Sequence, residues 1–243
     1  MIALCLQTYP GDLDVAMDLA RLICEIEPGM RDSEFVLIYR KDCDPRCHKH
    51  FETLAGMRFA RGIARIARNH DTGWPGGSNM LAQSAFMEMN ILSQEGLVTS
   101  DGFLLFEPDC VPLSRNWIDQ LSAEWEKTKA LGKEAFGHWH QQGGPETLHM
   151  NGNAVFATRF FDRHSQHLIG PSTMGWDYFY REHYIGVSRD SDLIYQHYNR
   201  HEMTQGEWAT IGKNGVRPAL FHGIKTPHGR ELARTNLAAE IAA

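Results

Sequence analysis

Continuous apolar runs alternate with segments of helical spacing through the first half of the chain. IALCLQTYPGD, from Ile2 to Asp12, predicts a buried strand that breaks at Thr8-Tyr9-Pro10-Gly11. Val15, Leu19, Leu22, Ile23 and Ile26 then fall at helical spacing and stop at Pro28-Gly29. EFVLIYR, from Glu34 to Arg40, predicts a second strand, and HKHFETLAGMRFA predicts a helix. GIARIARN reads either as a third strand or as more of that helix. The glycine-rich loop HDTGWPGGSN leads into the helix MLAQSAFMEMNILSQEG, which closes at Gly96. GFLLFEPD is an apolar strand ending in two acids, and SRNWIDQLSAEWEKTKALG is a helix with Ser114 as its expected N-cap.

Beyond Gly132 the pattern changes to short strands and loops rich in aromatic residues: EAFGHWH, HMNGNAVFATRFF, GWDYFYREHY, SDLIYQHY and ALFHGIKTPHG. The last residues, LARTNLAAEIAA, read as a loose helix or a disordered tail. Strand–helix alternation followed by a mixed half predicts an α/β sheet with covering helices, in which ligands bind at the carboxyl ends of the strands. At 243 residues the chain fits one domain with a substantial core. A net charge of −6 argues against a protein that coats nucleic acid through its overall field. The odd count of five cysteines fits reduced thiols rather than a disulfide scaffold. With no apolar stretch of membrane-spanning length and no basic start to the N-terminus, the expectation is a cytoplasmic protein without an integral membrane anchor.

The chemistry concentrates in Glu107-Pro108-Asp109. Residues two apart in an extended segment point the same way, so both carboxylates converge at the end of an apolar strand. Convergent carboxylates repel unless a cation lies between them, and oxygen ligands of this kind suit Mg²⁺ or Mn²⁺ shared with a diphosphate. A solvated acidic turn before the next helix is the alternative.

The order of a strand ending in Thr8-Tyr9, a second strand, the loop Gly73-Trp74-Pro75-Gly76-Gly77-Ser78-Asn79 and an apolar strand running into Glu107-Pro108-Asp109 resembles the nucleotide-sugar-dependent glycosyltransferases of the GT-A fold. The resemblance runs from about Ile2 to Lys225. It implies a Rossmann-like, mixed and mostly parallel sheet flanked by helices. It divides one glycosyltransferase domain, 1–243, into a nucleotide-sugar half (1–112), an acceptor and catalytic half (113–229) and a tail (230–243). It implies Mn²⁺ or Mg²⁺ on Glu107, Asp109 and His222, and a donor such as a UDP-sugar contacted by Thr8, Tyr9, Gly77, Asn79, Glu107, Asp109, Asn153 and Lys225. Asp177, in Trp176-Asp177, would be the catalytic base of an inverting transfer to a hydroxyl. Glu107 departs from the usual first Asp of the metal motif, and Trp176 from the commoner Glu before the base.

The acceptor reads as a glycan precursor or, through Arg58, Arg61, Arg65 and Arg68 and the aromatic cluster Trp176-Tyr178-Phe179-Tyr180, a hydroxymethylated base on DNA of the bacteriophage type. Those arginines form one stripe only if the segment is helical. Two other functions compete. A nucleotidyltransferase would carry a basic glycine-rich loop after the first strand, where this chain has Thr-Tyr-Pro-Gly-Asp. A non-catalytic sugar-nucleotide-binding module would have no use for a metal pair, a base and a terminal histidine together. Cys43, Cys47, His48 and His50 have spacing that a zinc site could use, but too short a stretch to close four ligands easily around one ion.

Overall fold

The computed structural model describes residues 1–68, 72–141, 143–169, 173–197, 202–212, 215–224 and 226–242. Strands and helices first alternate: β1 (Ile2–Thr8), α1 (Leu13–Ile26), β2 (Arg31–Tyr39), α2 (Arg46–Ala55), β3 (Phe59–Ile66), α3 (Gly76–Gln94) and β4 (Gly102–Phe106). β5 (Cys110–Pro112) and α4 (Trp117–Ala130) follow, then β6 (Ala135–His140), β7 (His149–Ala157), α5 (Phe160–His164), α6 (Trp176–Phe179) and α7 (Arg181–Val187). β8 (Ser188–Asp190), β9 (Ile194–Gln196), α8 (Gln205–Thr210), β10 (Leu220–His222) and α9 (Pro227–Ala242) complete the chain.

The main sheet has seven strands in the order β3-β2-β1-β4-β7-β6-β8. β3, β2, β1 and β4 are mutually parallel, β7 runs against both β4 and β6, and β8 is parallel to β6. The expected mixed, mostly parallel α/β sheet is therefore the observed one. From β1 the chain steps outward to β2 and β3, then crosses back to place β4 on the other side of β1. That reversal opens a crevice at the carboxyl ends of β1 and β4, the place where such sheets bind ligands. A smaller sheet, β5-β10-β9, stands at the same end.

Side-chain alternation along β4 explains how both faces are covered. Phe103 turns to one face and meets Phe86 of α3 edge-on at 5.6 Å. Gly102 and Phe106 turn to the other, where Phe106 meets Trp117 of α4 at 6.5 Å. A Cβ on Gly102 would lie 2.6 Å from Nε1 of Trp125, so only glycine admits that indole against the strand. Phe86 also packs on Phe156, Phe160 and Trp176, and so ties α3 to β7 and to the segment before α7.

Phe59–Ile66, which includes GIARI, is a strand, β3, and the arginine stripe that a helix would have built does not form. Arg58 instead donates to the carbonyl of Cys24, Arg61 to those of Gly96 and Leu97, Arg65 to that of Ala64, and Arg68 pairs with Glu88. Ser114 is not the cap of α4, which begins three residues later after Asn116. The Ser114 hydroxyl accepts from Gln120 instead. The C-terminal segment is a docked helix: α9 buries Ala233 and Leu237, and its Arg230 and Arg234 pair with Asp18 of α1 at 3.1 Å. Among the described residues no helix is long and apolar enough to cross a membrane. All five cysteines are free and buried.

Candidate active site

β1 and β4 pair in parallel up to Leu6 and Phe106, so Glu107 leaves β4 beside Gln7, which β1 still holds against Ile38 of β2. Asn153 of β7 holds the turn that follows. Its Oδ1 accepts from the Glu107 N–H at 2.8 Å and from the Cys110 thiol at 3.4 Å, and its Nδ2 donates to Asn151 Oδ1 at 3.0 Å. Asn153 is thus a support for the acid pair, buried behind it at 3% exposure.

The small sheet delivers the third member. β10 pairs antiparallel with β5 so that His222 stands opposite Cys110, one residue past Asp109. The next residue, Gly223, has φ 117°, a conformation that L side chains rarely adopt, and a Cβ there would meet the His197 carbonyl at 2.6 Å. In that conformation the N–H groups of Gly223 and Ile224 donate to the Asp109 carbonyl at 3.1 and 2.8 Å. Nε2 of His222 then lies 3.1 Å from Asp109 Oδ1 and 3.2 Å from Glu107 Oε2. Its Nδ1 meets Oε1 of Gln196, from the neighbouring strand β9.

One ligating atom from each of Glu107, Asp109 and His222 lies within 4.8 Å of the other two. An amide oxygen only accepts, so Gln196 assigns the proton to Nδ1 and directs Nε2 at the two carboxylates. Without a metal ion, Nε2 meets those charges by taking a second proton. Burial opposes the imidazolium, but the hydrogen bonds and charges of Asp109 and Glu107 outweigh it and raise His222 to about 9. Two hard carboxylates and one imidazole suit a divalent ion of the Mn²⁺ or Mg²⁺ type, with a diphosphate to complete its shell.

The cavity beside this cluster has a volume of about 700 Å³ and is walled by Gln7, Tyr9, Asp12, Arg40, Gly77 and Pro108, among others. Tyr9 and Gly77 line it. Thr8 does not: it is fully buried, and its hydroxyl donates to Asp12 Oδ1 at 3.2 Å. Asp12 and Arg40 went unnoticed in the sequence. Burial pushes the Asp12 carboxyl up to about 6, against hydrogen bonds from Tyr9 and Thr8 and with the charges of Glu107 and Asp109 adding to the rise. Arg40, the first residue beyond β2, lies 5.8 Å over the Tyr9 ring. A cation at a strand end next to β1 was the available signal.

Asp177 opens α6 on the far side of Asn153. Its Oδ2 accepts from the Gly152 N–H at 3.1 Å and its Oδ1 from the Tyr178 N–H at 3.0 Å. Burial raises its pKa, opposed by His149 and those N–H groups, with Glu107 adding a repulsive contribution across the gap. It is not in the wall of the 700 Å³ cavity. Asn79 is buried and acts as a clamp: it donates to the Met174 carbonyl at 3.0 Å and accepts from the Trp176 N–H at 2.9 Å, fixing the approach to Asp177. Lys225 lies outside the described residues. Neither Cys43, Cys47, His48 nor His50 belongs to a group of three metal ligands among the described residues; His48 pairs with Glu52 at 3.1 Å.

No protein-family model and no curated protein matches the chain. Solved structures do. The galactosyltransferase LgtC, in complex with donor and acceptor sugar analogues, aligns with a TM-score of 0.56 and 11% identity, over 98% of this chain and 96% of its own. Mouse xyloside xylosyltransferase 1 aligns with a TM-score of 0.53 and 9% identity, over 92% of this chain and 98% of its own. The glycosyltransferase GlyE of Streptococcus pneumoniae TIGR4 aligns with a TM-score of 0.55 and 9% identity, over 99% of this chain and 63% of its own. The chain thus has the GT-A glycosyltransferase fold.

Proposed function

We propose that this protein is a metal-dependent glycosyltransferase that moves a sugar from a nucleoside diphosphate sugar to a hydroxyl acceptor. The observation that carries this reading is the convergence of Glu107, Asp109 and His222 at the mouth of a strand-end cavity. Glu107, Asp109 and His222 would hold the ion, which when bound supplies a Lewis acid to the leaving diphosphate. Arg40, held by Asp42 at 2.6 and 2.7 Å, stands over the Tyr9 ring, which flanks the nucleoside. Carboxylates at Asp12, Glu107 and Asp109 outnumber the cations of Arg40 and His222, so the cavity favours a cation before an anion.

On the acceptor side, a carboxyl with a raised pKa accepts a proton better than an ordinary aspartate. Asp177 takes the acceptor's hydroxyl proton on a side-chain oxygen, while the N–H groups of Gly152 and Tyr178 keep it aimed. Its position outside the donor cavity suits a group that serves the acceptor. A base in this role gives a product of inverted anomeric configuration. A glycan or related soluble hydroxyl is the preferred acceptor over DNA, because the four arginines that would grip a duplex are engaged within the chain.

The test is nucleoside diphosphate release from a panel of sugar nucleotides with Mn²⁺, Mg²⁺ or EDTA. Release that needs the metal and disappears in Asp109→Asn supports the reading. Asp177→Asn should lower kcat about 10²–10⁴-fold with little change in donor affinity. Tight donor binding with no turnover on any acceptor would favour a binding module, and pyrophosphate release from a nucleoside triphosphate would favour a nucleotidyltransferase. A product of retained configuration would remove Asp177 from the role of base.

A further inference from the structure

A second set of ligating side chains lies away from the strand-end cavity. His164 closes α5, His167 sits in the tight 3-10 turn Ser165–His167 that follows, and His183 belongs to α7. One ring nitrogen from each lies within 4.8 Å of the other two. Two of these residues precede Trp176 and Asp177 in the chain and one follows them, so no single helical repeat produces the cluster.

Hydrogen bonding identifies which ring nitrogens face one another. Nε2 of His164 is 3.2 Å from Oε2 of Glu134, which also accepts from Arg163 at 2.6 Å. A carboxylate only accepts, so the proton of His164 is on Nε2 and a lone pair is on Nδ1. Nε2 of His183 is 3.0 Å from that Nδ1 and donates its proton to it, so an ion between the two rings takes the place of that proton. Nδ1 of His167 is buried without a hydrogen-bond partner. A carboxylate backing an imidazole whose other nitrogen faces its neighbours is the support that metal-bound histidines use.

We propose that His164, His167 and His183 form a second metal site, for a borderline transition ion such as Zn²⁺, separate from Glu107, Asp109 and His222. Three imidazole nitrogens without an oxygen ligand select Zn²⁺ over Mg²⁺ or Ca²⁺. A tetrahedral ion with bonds of about 2.0–2.1 Å needs nitrogens about 3.4 Å apart, close to the 3.0 Å between His164 and His183. His167 and His183 lie stacked, with centroids 3.6 Å and planes 15° apart, so one ring turns on binding until the lone pairs converge. His167 and His183 are only half-buried, which leaves the fourth position to water. Tyr184, next to His183, packs on Trp176 at 5.0 Å and donates to the His167 carbonyl at 2.6 Å. An ion here braces the helices on either side of Asp177.

The test uses the full chain carrying Asp109→Asn and His222→Gln, which disables the strand-end site, stripped with EDTA and titrated with Zn²⁺ against a chromophoric chelator. Binding of about one equivalent, with a rise in thermal midpoint, is expected. Adding His183→Ala or His167→Gln should weaken that binding about tenfold or more, with unchanged far-ultraviolet circular dichroism. Co²⁺ in place of Zn²⁺ should give the visible bands of a four-coordinate nitrogen site, absent from the histidine variants. Zn²⁺ affinity that is absent in the starting protein, or indifferent to both histidine variants, overturns the proposal.

Discussion

Raising the pH of the metal-free protein should destabilise it through His222. The imidazolium is held to about 9 by Asp109 and Glu107, against an ordinary value of 6.5. A group whose folded pKa lies above its unfolded value contributes stability that is complete below the unfolded value and is lost as pH rises through the folded one. The window therefore runs from about 6.5 to about 9, and the full contribution at the acidic end is on the order of 3 kcal/mol, from a shift of about 2.5 units at 1.36 kcal/mol each. Asp12 does not confuse the measurement. Its rise to about 6 has the opposite consequence of an ordinary depressed carboxyl, costing stability as pH climbs from 3.8, and that cost is nearly complete before the window opens. The buried thiols do intrude above their ordinary value of 9.0, so the slope is read between pH 6.5 and 8.5. The assay is urea denaturation in EDTA across that range, beside His222→Gln. The wild-type protein should lose stability steadily while the variant stays nearly flat. Saturating Mn²⁺ should reduce the slope, because the ion takes the place of the second proton. Equal slopes in wild type and variant would refute the assignment of that proton to His222.

Asn153→Ala should lower Mn²⁺ affinity about 10–100-fold, as loss of an outer-shell partner does, because the Glu107 N–H loses its acceptor and the acid turn loosens; calorimetric titration measures it. The same variant should cost about 1–3 kcal/mol of stability for the buried groups it leaves unpaired. Gly102→Ala should cost about 1–3 kcal/mol, visible as a lower thermal midpoint, because its methyl group meets the Trp125 indole. An unchanged midpoint would mean that Trp125 moves aside freely.

In the parallel half β3, with its alternating arginines and partly exposed edge, read equally as a helix, whereas β1, β2 and β4 were legible because each carries a continuous buried apolar run between helices with their own spacing. Glu107 and Asp109 were legible for the same reason: two acids at the end of such a run have no place in a core. β5 and β8 were not, since three residues cannot establish a period, and Ser188–Asp190 has no apolar member to mark it. Asn79 and Asn153 show a different limit. Residue type announced a polar side chain at the right end of the sheet, but its partners, Trp176 and Glu107, are 97 and 46 residues away along the chain. Spacing alone cannot separate a clamp from a ligand contact. The histidines at 164, 167 and 183 carried no signal among thirteen, because only the packing of α5 on α7 brings them together.

The small sheet is what brings an imidazole to the acid pair. Glu107 and Asp109 alone would repel each other and open towards water. β10 brings His222 to them only because Gly223 adopts a left-handed conformation and returns its N–H to the Asp109 carbonyl, while β9 brings Gln196 to the other face of the same ring. His222 and Gly223, from the last fifty residues, contact the end of β4 and Gln196 steadies the histidine, so the site exists only after the whole fold has closed. The ion in turn would hold the two sheets together. Metal binding and the closing of β5 on β10 are therefore expected to be one cooperative event, in which a change at Gly223 weakens the ion as much as a change in Asp109 does.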